Sequence, residues 1–371
     1  MELDLQSSNS FSLKNSIKSL KFIYSIGRYN PDNYDYSSIK ITDDFYNGPN
    51  SNEIPLKILN RVGKTDASTI ILFPGASPDA EKHKGMIFLG SIMCSLGYRI
   101  IIPRINPLME LKINEDCFDW FACAYDEILN RTDVNQNNVS AMAMSFGGAV
   151  LLKASFDSRV SKNPPKSIMT FGTYSDIYST LKFLCDGKIE LENNSYRIKP
   201  HSWGLTVLFH NFLDKFNFKE IENYKNEIKQ IINHQIQDNH DDVEKLINKL
   251  PQKSAQKFIK NILTCNIDDS IQKEILRVIN EEKEFIKIMS PIYWEKVVGP
   301  KTFIMHGSND SMVPFTESIN LSKKIKGSSL FISYMYEHKE ISTNKGWIFK
   351  FKEFYKMYNF FRKYLKYNDS I

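Results

Sequence analysis

Along the chain, short apolar runs that end in Gly, Pro, Asn or Asp alternate with segments long enough to be helices. The runs fall at residues 68–73, 99–103, 138–144, 167–171, 301–305 and 329–335. Each has strand length and a nearly continuous apolar pattern, as expected for strands buried on both faces. Strands alternating with helices predict an α/β fold, with a mostly parallel central sheet and helices on both faces. From Leu205 to Val298 the pattern changes: glycine is absent, and Pro251 alone breaks the stretch before Pro291. Apolar residues recur there at helical spacing, in Ile221, Tyr224, Ile228, Ile231, Ile232 and again in Ile271, Ile275, Val278, Ile279, Phe285, with Lys and Glu between them. Asp269 followed by Gln272 reads as a helix N-cap with its capping-box partner. A further helix is expected over residues 9–27, with Leu13, Ile17, Leu20 and Tyr24 on one stripe. The chain therefore divides into the first part of a core, residues 1–178, an all-helical cap insertion, residues 179–289, and the second part of the core, residues 290–371.

A length of 371 residues fits two domains, or one large domain carrying an insertion. With 42% hydrophobic and 25% charged residues, a disordered, collagen-like or disulfide-framework chain is excluded. The cysteines (Cys94, Cys117, Cys123, Cys185, Cys265) are odd in number and show no CxxC spacing, so free thiols in a reducing compartment are expected. Glu2 and Asp4 precede any apolar run, which does not read as a signal peptide, and a cytoplasmic location is expected. The apolar stretch 86–103 approaches the length of a membrane span. Gly97-Tyr98-Arg99 interrupts it where a helix would give way to a strand, so it reads as core. Net charge is +5, and residues 338–371 alone hold eight Lys/Arg against three Asp/Glu. Nothing resembles a nucleic-acid module. Residues 347–367 contain ten aromatics, with Phe351, Phe354, Tyr355, Tyr358 and Phe361 at helical spacing. Two readings remain open: a last helix that packs this stripe on the sheet and leaves its lysines in water, or a basic aromatic helix in weak contact with a membrane surface.

The strand 138–144 runs directly into Ser145, then Phe146-Gly147-Gly148 and a helix-like Ala149-Val150-Leu151-Leu152. A serine on a sharp strand-to-helix turn needs small neighbours, and Ala143 and Gly147 supply them. Such a turn exposes the hydroxyl and aims a helix N-terminus at it. A serine hydroxyl is a weak nucleophile at neutral pH. It needs a histidine to take its proton and a carboxylate to orient that histidine. Downstream, the strand 301–305 is followed by a polar turn carrying Asp310, and the strand 329–335 by His338. Asp176, beyond the strand 167–171, is the alternative acid. His306 lies within the same turn as Asp310 and reads as a structural hydrogen-bonding residue. His83, His201, His210, His234 and His240 have no partner pattern. His234 and His240, six apart, fall on different faces of one helix, so neither a metal site nor a cofactor is implied.

In these residues the sequence resembles the α/β-hydrolase superfamily. The resemblance is carried by Ala143-Met144-Ser145-Phe146-Gly147 as nucleophile elbow, by the run from His306 to Pro314 as acid turn, and by His338 after the last strand. Ser290-Pro291 looks like the segment that returns from the cap. The resemblance implies an α/β-hydrolase fold with a helical cap and a catalytic Ser145, Asp310 and His338. It also implies an oxyanion loop at Phe73-Pro74-Gly75-Ala76, with Pro74 where members usually carry histidine, and as donors the N–H groups of Ala76 and Phe146. The expected activity is that of a carboxylesterase, lipase or thioesterase. Such an enzyme cleaves an ester or thioester of a hydrophobic acyl substrate through an acyl-enzyme, under a roof containing Trp203, Leu205, Leu208 and Phe212. The same triad also serves acyltransferases and peptidases. A non-catalytic ligand-binding protein of this fold is the remaining alternative, and it has no need of all three residues.

Overall fold

A computed structural model of the chain describes residues 2–28, 30–63, 67–192, 194–295, 299–334 and 347–369. Its strands are β1 (Ile39–Asn47), β2 (Glu53–Arg61), β3 (Thr69–Phe73), β4 (Arg99–Pro103), β5 (Val139–Met144), β6 (Ser167–Phe171), β7 (Lys188–Leu191), β8 (Asn194–Arg197), β9 (Lys301–Gly307) and β10 (Ser329–Ser333). Eight of them form one sheet in the order β1-β2-β4-β3-β5-β6-β9-β10. The sheet is parallel from β4 to β10, and β2 runs antiparallel to both β1 and β4. This order, with a serine turn between β5 and the helix that follows it, is the α/β-hydrolase fold. The apolar runs are strands because every side chain has somewhere dry to go. Ile71, Phe73, Ala141, Ala143, Ile168 and Ile304 enter the core on one face, and their neighbours Ile70, Leu72, Met142, Met169 and Phe303 enter the core on the other.

The helices, in chain order, are α1 (Glu2–Ile26), α2 (Lys84–Ser95), α3 (Asn106–Met109), α4 (Asp116–Leu129), α5 (Phe146–Ala154), α6 (Ser158–Ser161), α7 (Ile177–Asp186), α8 (Ser202–Phe212), α9 (Lys225–Ile236), α10 (His240–Lys249), α11 (Lys253–Leu263), α12 (Asp269–Glu281), α13 (Lys283–Met289), α14 (Thr316–Lys324) and α15 (Trp347–Asp369). Residues of α4, α5, α6 and α14 pack on one face of the sheet; those of α1, α2 and α15 pack on the other. Gly97, at φ 102°, turns the chain from α2 into β4, so the long apolar stretch is a helix and a strand of the core. Among the described residues no helix is long and apolar enough to cross a membrane.

Between β6 and β9 the elements α7 to α13 build a second hydrophobic core, in which Leu205, Phe209, Ile231, Ile259 and Ile275 are fully enclosed. This insertion is not all helical. Gly187 ends α7 in the left-handed conformation, and the chain then returns through the antiparallel pair β7–β8, whose Ile189 is buried in the same core. Two local expectations also shift. The N-cap of α12 is Asp268 rather than Asp269, because its carboxylate accepts from the N–H groups of Ser270 and Ile271 at 3.0 and 2.9 Å. His234 and His240 lie on two helices, α9 and α10, rather than on two faces of one. The stripe of α1 faces solvent: Leu13, Ile17, Leu20 and Tyr24 are exposed, and Asn15 and Ser19 are buried beneath them with Phe22 and Ile23.

Candidate active site

Ser145 sits between β5 and α5 with φ 49° and ψ −125°, a conformation that side-chain-bearing residues rarely adopt. The surroundings hold it there. Its N–H donates to the Phe171 carbonyl of β6 at 2.7 Å, and its carbonyl accepts from the Gly148 N–H at 3.0 Å and the Thr173 hydroxyl at 3.1 Å. The two glycines are required by close approach: a Cβ at Gly147 would lie 2.2 Å from the Pro74 carbonyl oxygen, and one at Gly148 would lie 1.9 Å from Thr173 Oγ1. The helix can therefore start immediately behind the serine, with its N-terminus directed at the hydroxyl. Thr173 was not signalled by the sequence, since a threonine two residues past a strand has many bland roles.

The loop after β3 passes close to this turn. A Cβ on Gly75 would be 3.4 Å from Ser145 Cβ and 3.2 Å from the Met144 carbonyl oxygen. Among the described residues neither the Ala76 N–H nor the Phe146 N–H donates to another group, and both residues line one cavity with Ser145.

Asp310 reaches the same cavity from the turn after β9. Its Oδ1 accepts from the N–H groups of Met312 and Val313 at 2.8 and 3.0 Å. Its Oδ2 lies 3.5 Å from His306 Nε2 and against Gly172, the residue after the strand that binds the Ser145 N–H. Burial alone would raise the Asp310 carboxyl, but the hydrogen bond and charge of His306 and the two backbone donors hold it below the usual carboxylate range. His306 is itself fixed, with Nδ1 2.7 Å from Ser318 Oγ and Nε2 2.9 Å from the Val313 carbonyl oxygen, the structural role its position suggests.

Asp176 is placed differently. Its Oδ1 caps α7 by accepting from the Tyr178 N–H at 2.9 Å, and its Oδ2 accepts from the Tyr293 hydroxyl at 3.3 Å. Burial pushes its carboxyl up, against the pull of those hydrogen bonds. It does not line the cavity that contains Ser145 and Asp310. His338 lies outside the described residues.

The cavity measures about 990 Å³. Its walls are mostly apolar, with Ile177, Leu181, Trp203, Leu208, Phe212 and Phe285 on the insertion side. Leu205 does not reach it and belongs to the insertion's own core. One part of the wall was not anticipated: Phe22, Ile26 and Gly27 line it together with Met86 and Phe88 of α2. No sequence pattern announces that a helix this far along the chain from Ser145 forms part of its chamber. No group of His, Cys, Asp and Glu among the described residues has the arrangement of a metal site.

The family model described as BD-FAE matches residues 218–325, which run from the insertion through β9 and the Asp310 turn to the end of α14. No curated protein matches the chain in sequence. Among solved structures the chain is similar to the Pyrococcus horikoshii acylaminoacyl peptidase, at 11% identity and a TM-score of 0.45, covering 89% of this chain and 41% of that one. It is also similar to oligopeptidase B from Leishmania major, at 12% identity and a TM-score of 0.44, covering 92% of this chain and 38% of that one. An acetyl xylan esterase from Paenibacillus sp. R4 matches at 11% identity and a TM-score of 0.43, covering 88% and 86% of the two chains. The chain thus spans about two fifths of the length of the two peptidases.

Proposed function

We propose that the chain is a serine hydrolase that cleaves a carboxylic ester or thioester of a long apolar acid through an acyl-enzyme. The observation that carries this reading is Ser145, held in a strained turn at the head of α5 and lining a large, mostly apolar cavity. In the proposed cycle Ser145 Oγ attacks the carbonyl carbon while His338 takes its proton. The N–H groups of Ala76 and Phe146 receive the oxyanion, and His338 returns the proton to the departing alcohol or thiol. Water, deprotonated by His338, then attacks the acyl-enzyme, and the serine regains its hydrogen as the acid leaves. Asp310 orients His338 and offsets its charge. Its Oδ1 is already committed to backbone donors, so Oδ2, which also faces His306 Nε2 at 3.5 Å, is the oxygen that accepts from the His338 imidazole. Acyl transfer to an alcohol and peptide cleavage use the same groups. The apolar walls favour an acyl chain over a charged peptide.

The test is Ser145→Ala in a p-nitrophenyl ester assay. The reading expects hydrolysis to fall by at least about 10³-fold, with the fold and Tm unchanged, because only a hydroxyl is removed from a half-buried turn. A variant that retains near-normal turnover would overturn it.

A further inference from the structure

The apolar stripe of α1 faces outward. Leu13, Ile17, Leu20 and Tyr24 are 64, 59, 45 and 60% exposed, at a spacing that puts them in one row, while the polar Asn15 and Ser19 are turned inward. A helix that serves only its own core has the opposite arrangement. Charge is equally one-sided. Residues 13–28 carry Lys14, Lys18, Lys21 and Arg28 and no acid. Lys14, Lys21 and Arg28 are exposed, and Lys18 is tied to Asp369 at the end of α15 by a 2.6 Å ion pair.

Helix α15 lies alongside, with the Phe361 ring 3.8 Å from the Phe22 ring of α1. It adds Phe351 and Tyr355, 62 and 57% exposed, among the exposed Lys352, Lys356, Lys363 and Lys366. Its two acids are neutralised, Glu353 buried against Lys356 and Asp369 paired with Lys18. The two helices together offer apolar and aromatic side chains set among cations. Complementarity to that surface needs an apolar layer beneath a layer of negative charge. The boundary of an anionic lipid bilayer supplies both, because aliphatic and aromatic side chains enter among the acyl chains while lysines meet the phosphates.

We propose that the face formed by α1 and α15 docks the protein on the surface of an anionic lipid bilayer. Phe22 and Ile26 of α1, with Gly27 just beyond it, line the chamber that holds Ser145, so one helix borders both the bilayer and the chamber. Delivery of a lipid acyl chain to Ser145 by this route rests on the hydrolase reading; docking does not.

Flotation of the full chain with vesicles tests it, using phosphatidylcholine alone and phosphatidylcholine mixed with phosphatidylserine. The chain is expected to float with the mixed vesicles, less so as salt is raised. Ile17→Glu with Leu20→Glu should weaken partitioning at least about tenfold, and Lys14→Glu about fivefold. Val62→Glu, at an exposed apolar residue beyond β2, should change nothing. Circular dichroism checks the fold, and if the double variant fails to fold, Leu13→Glu carries the test alone. Ser145→Ala should float like the wild type, and the stripe variants should still hydrolyse a soluble short ester, so docking and chemistry fail separately. The proposal is overturned if the wild type floats with neither vesicle, floats equally with both, or floats undiminished by the stripe substitutions. It is also overturned if light scattering shows a dimer that the stripe substitutions disperse, because a second copy would then cover the face.

Discussion

Asp310 and Asp176 stand at the ends of neighbouring strands and are charged at different cost. Asp310 has a depressed folded-state pKa, so its contribution to stability is fully present above the ordinary carboxylate range and is lost as pH falls through the depressed value. Asp176 has a raised one. Its charged form therefore costs stability above that range, and the cost disappears as pH falls below the ordinary value. Asp176→Asn keeps the oxygen that caps α7 and removes the buried charge, so its Tm at neutral pH should equal or exceed that of the wild type. Asp310→Asn leaves His306 facing an amide and should cost about 1–3 kcal/mol in denaturant unfolding. Activity separates them further. If Asp310 orients His338, Asp310→Asn lowers kcat by about 10³ to 10⁴ and Asp176→Asn has a far milder effect. The reverse order would move the acid to the end of β6. Gly148→Ala probes the turn itself, since its methyl would collide with the Thr173 hydroxyl that holds the Ser145 carbonyl. It should destabilise the protein by about 1–3 kcal/mol and lower activity together with stability.

At the scale of elements, legibility followed burial. Strands β3, β4, β5, β6 and β9 are buried on both faces, so they read as continuous apolar runs. The pair β1–β2 was not read: β1 is an edge strand with one wet face, and Asp43 and Asp44 stand in its middle, Asp43 paired across to Lys57. Helices α9 and α12 carry apolar stripes that do face their core, so spacing found them; α10 and α11 were covered only by the helical composition of the stretch, and α10 was merged with α9. In α1 spacing found the helix and was silent on its orientation, because a stripe says that one face is apolar and not what that face meets. The serine turn was legible for a different reason. A small residue at 147 is demanded by the approach of the Pro74 carbonyl, which leaves a mark in sequence, whereas the Thr173 clamp and the α1 wall arise only when distant segments meet. The basic aromatic helix packs Phe361 into the core and leaves Phe351 and Tyr355 outside.

At the scale of the whole molecule, residues of the insertion and of the sheet's strand ends line one cavity, and if the insertion side receives the acyl chain while the strand ends carry the chemistry, a substitution on that side changes chain-length preference. Val207 lies on the insertion side of the wall and is half-buried, so Val207→Trp should fill part of the chamber without disturbing the serine turn. The kcat/KM for a long-chain p-nitrophenyl ester should fall about tenfold or more, and that for the acetate far less. Equal losses would mean that the wall supports the catalytic geometry and does not select chain length. The expectations about activity depend on Ser145 being a nucleophile, and intact-protein mass spectrometry after treatment with a small fluorophosphonate measures that directly. The account predicts a single adduct on the wild type, mapped to Ser145 by peptide analysis, and none on Ser145→Ala. A wild type that stays unlabelled while folded, or a Ser145→Ala variant labelled to the same extent, would contradict it.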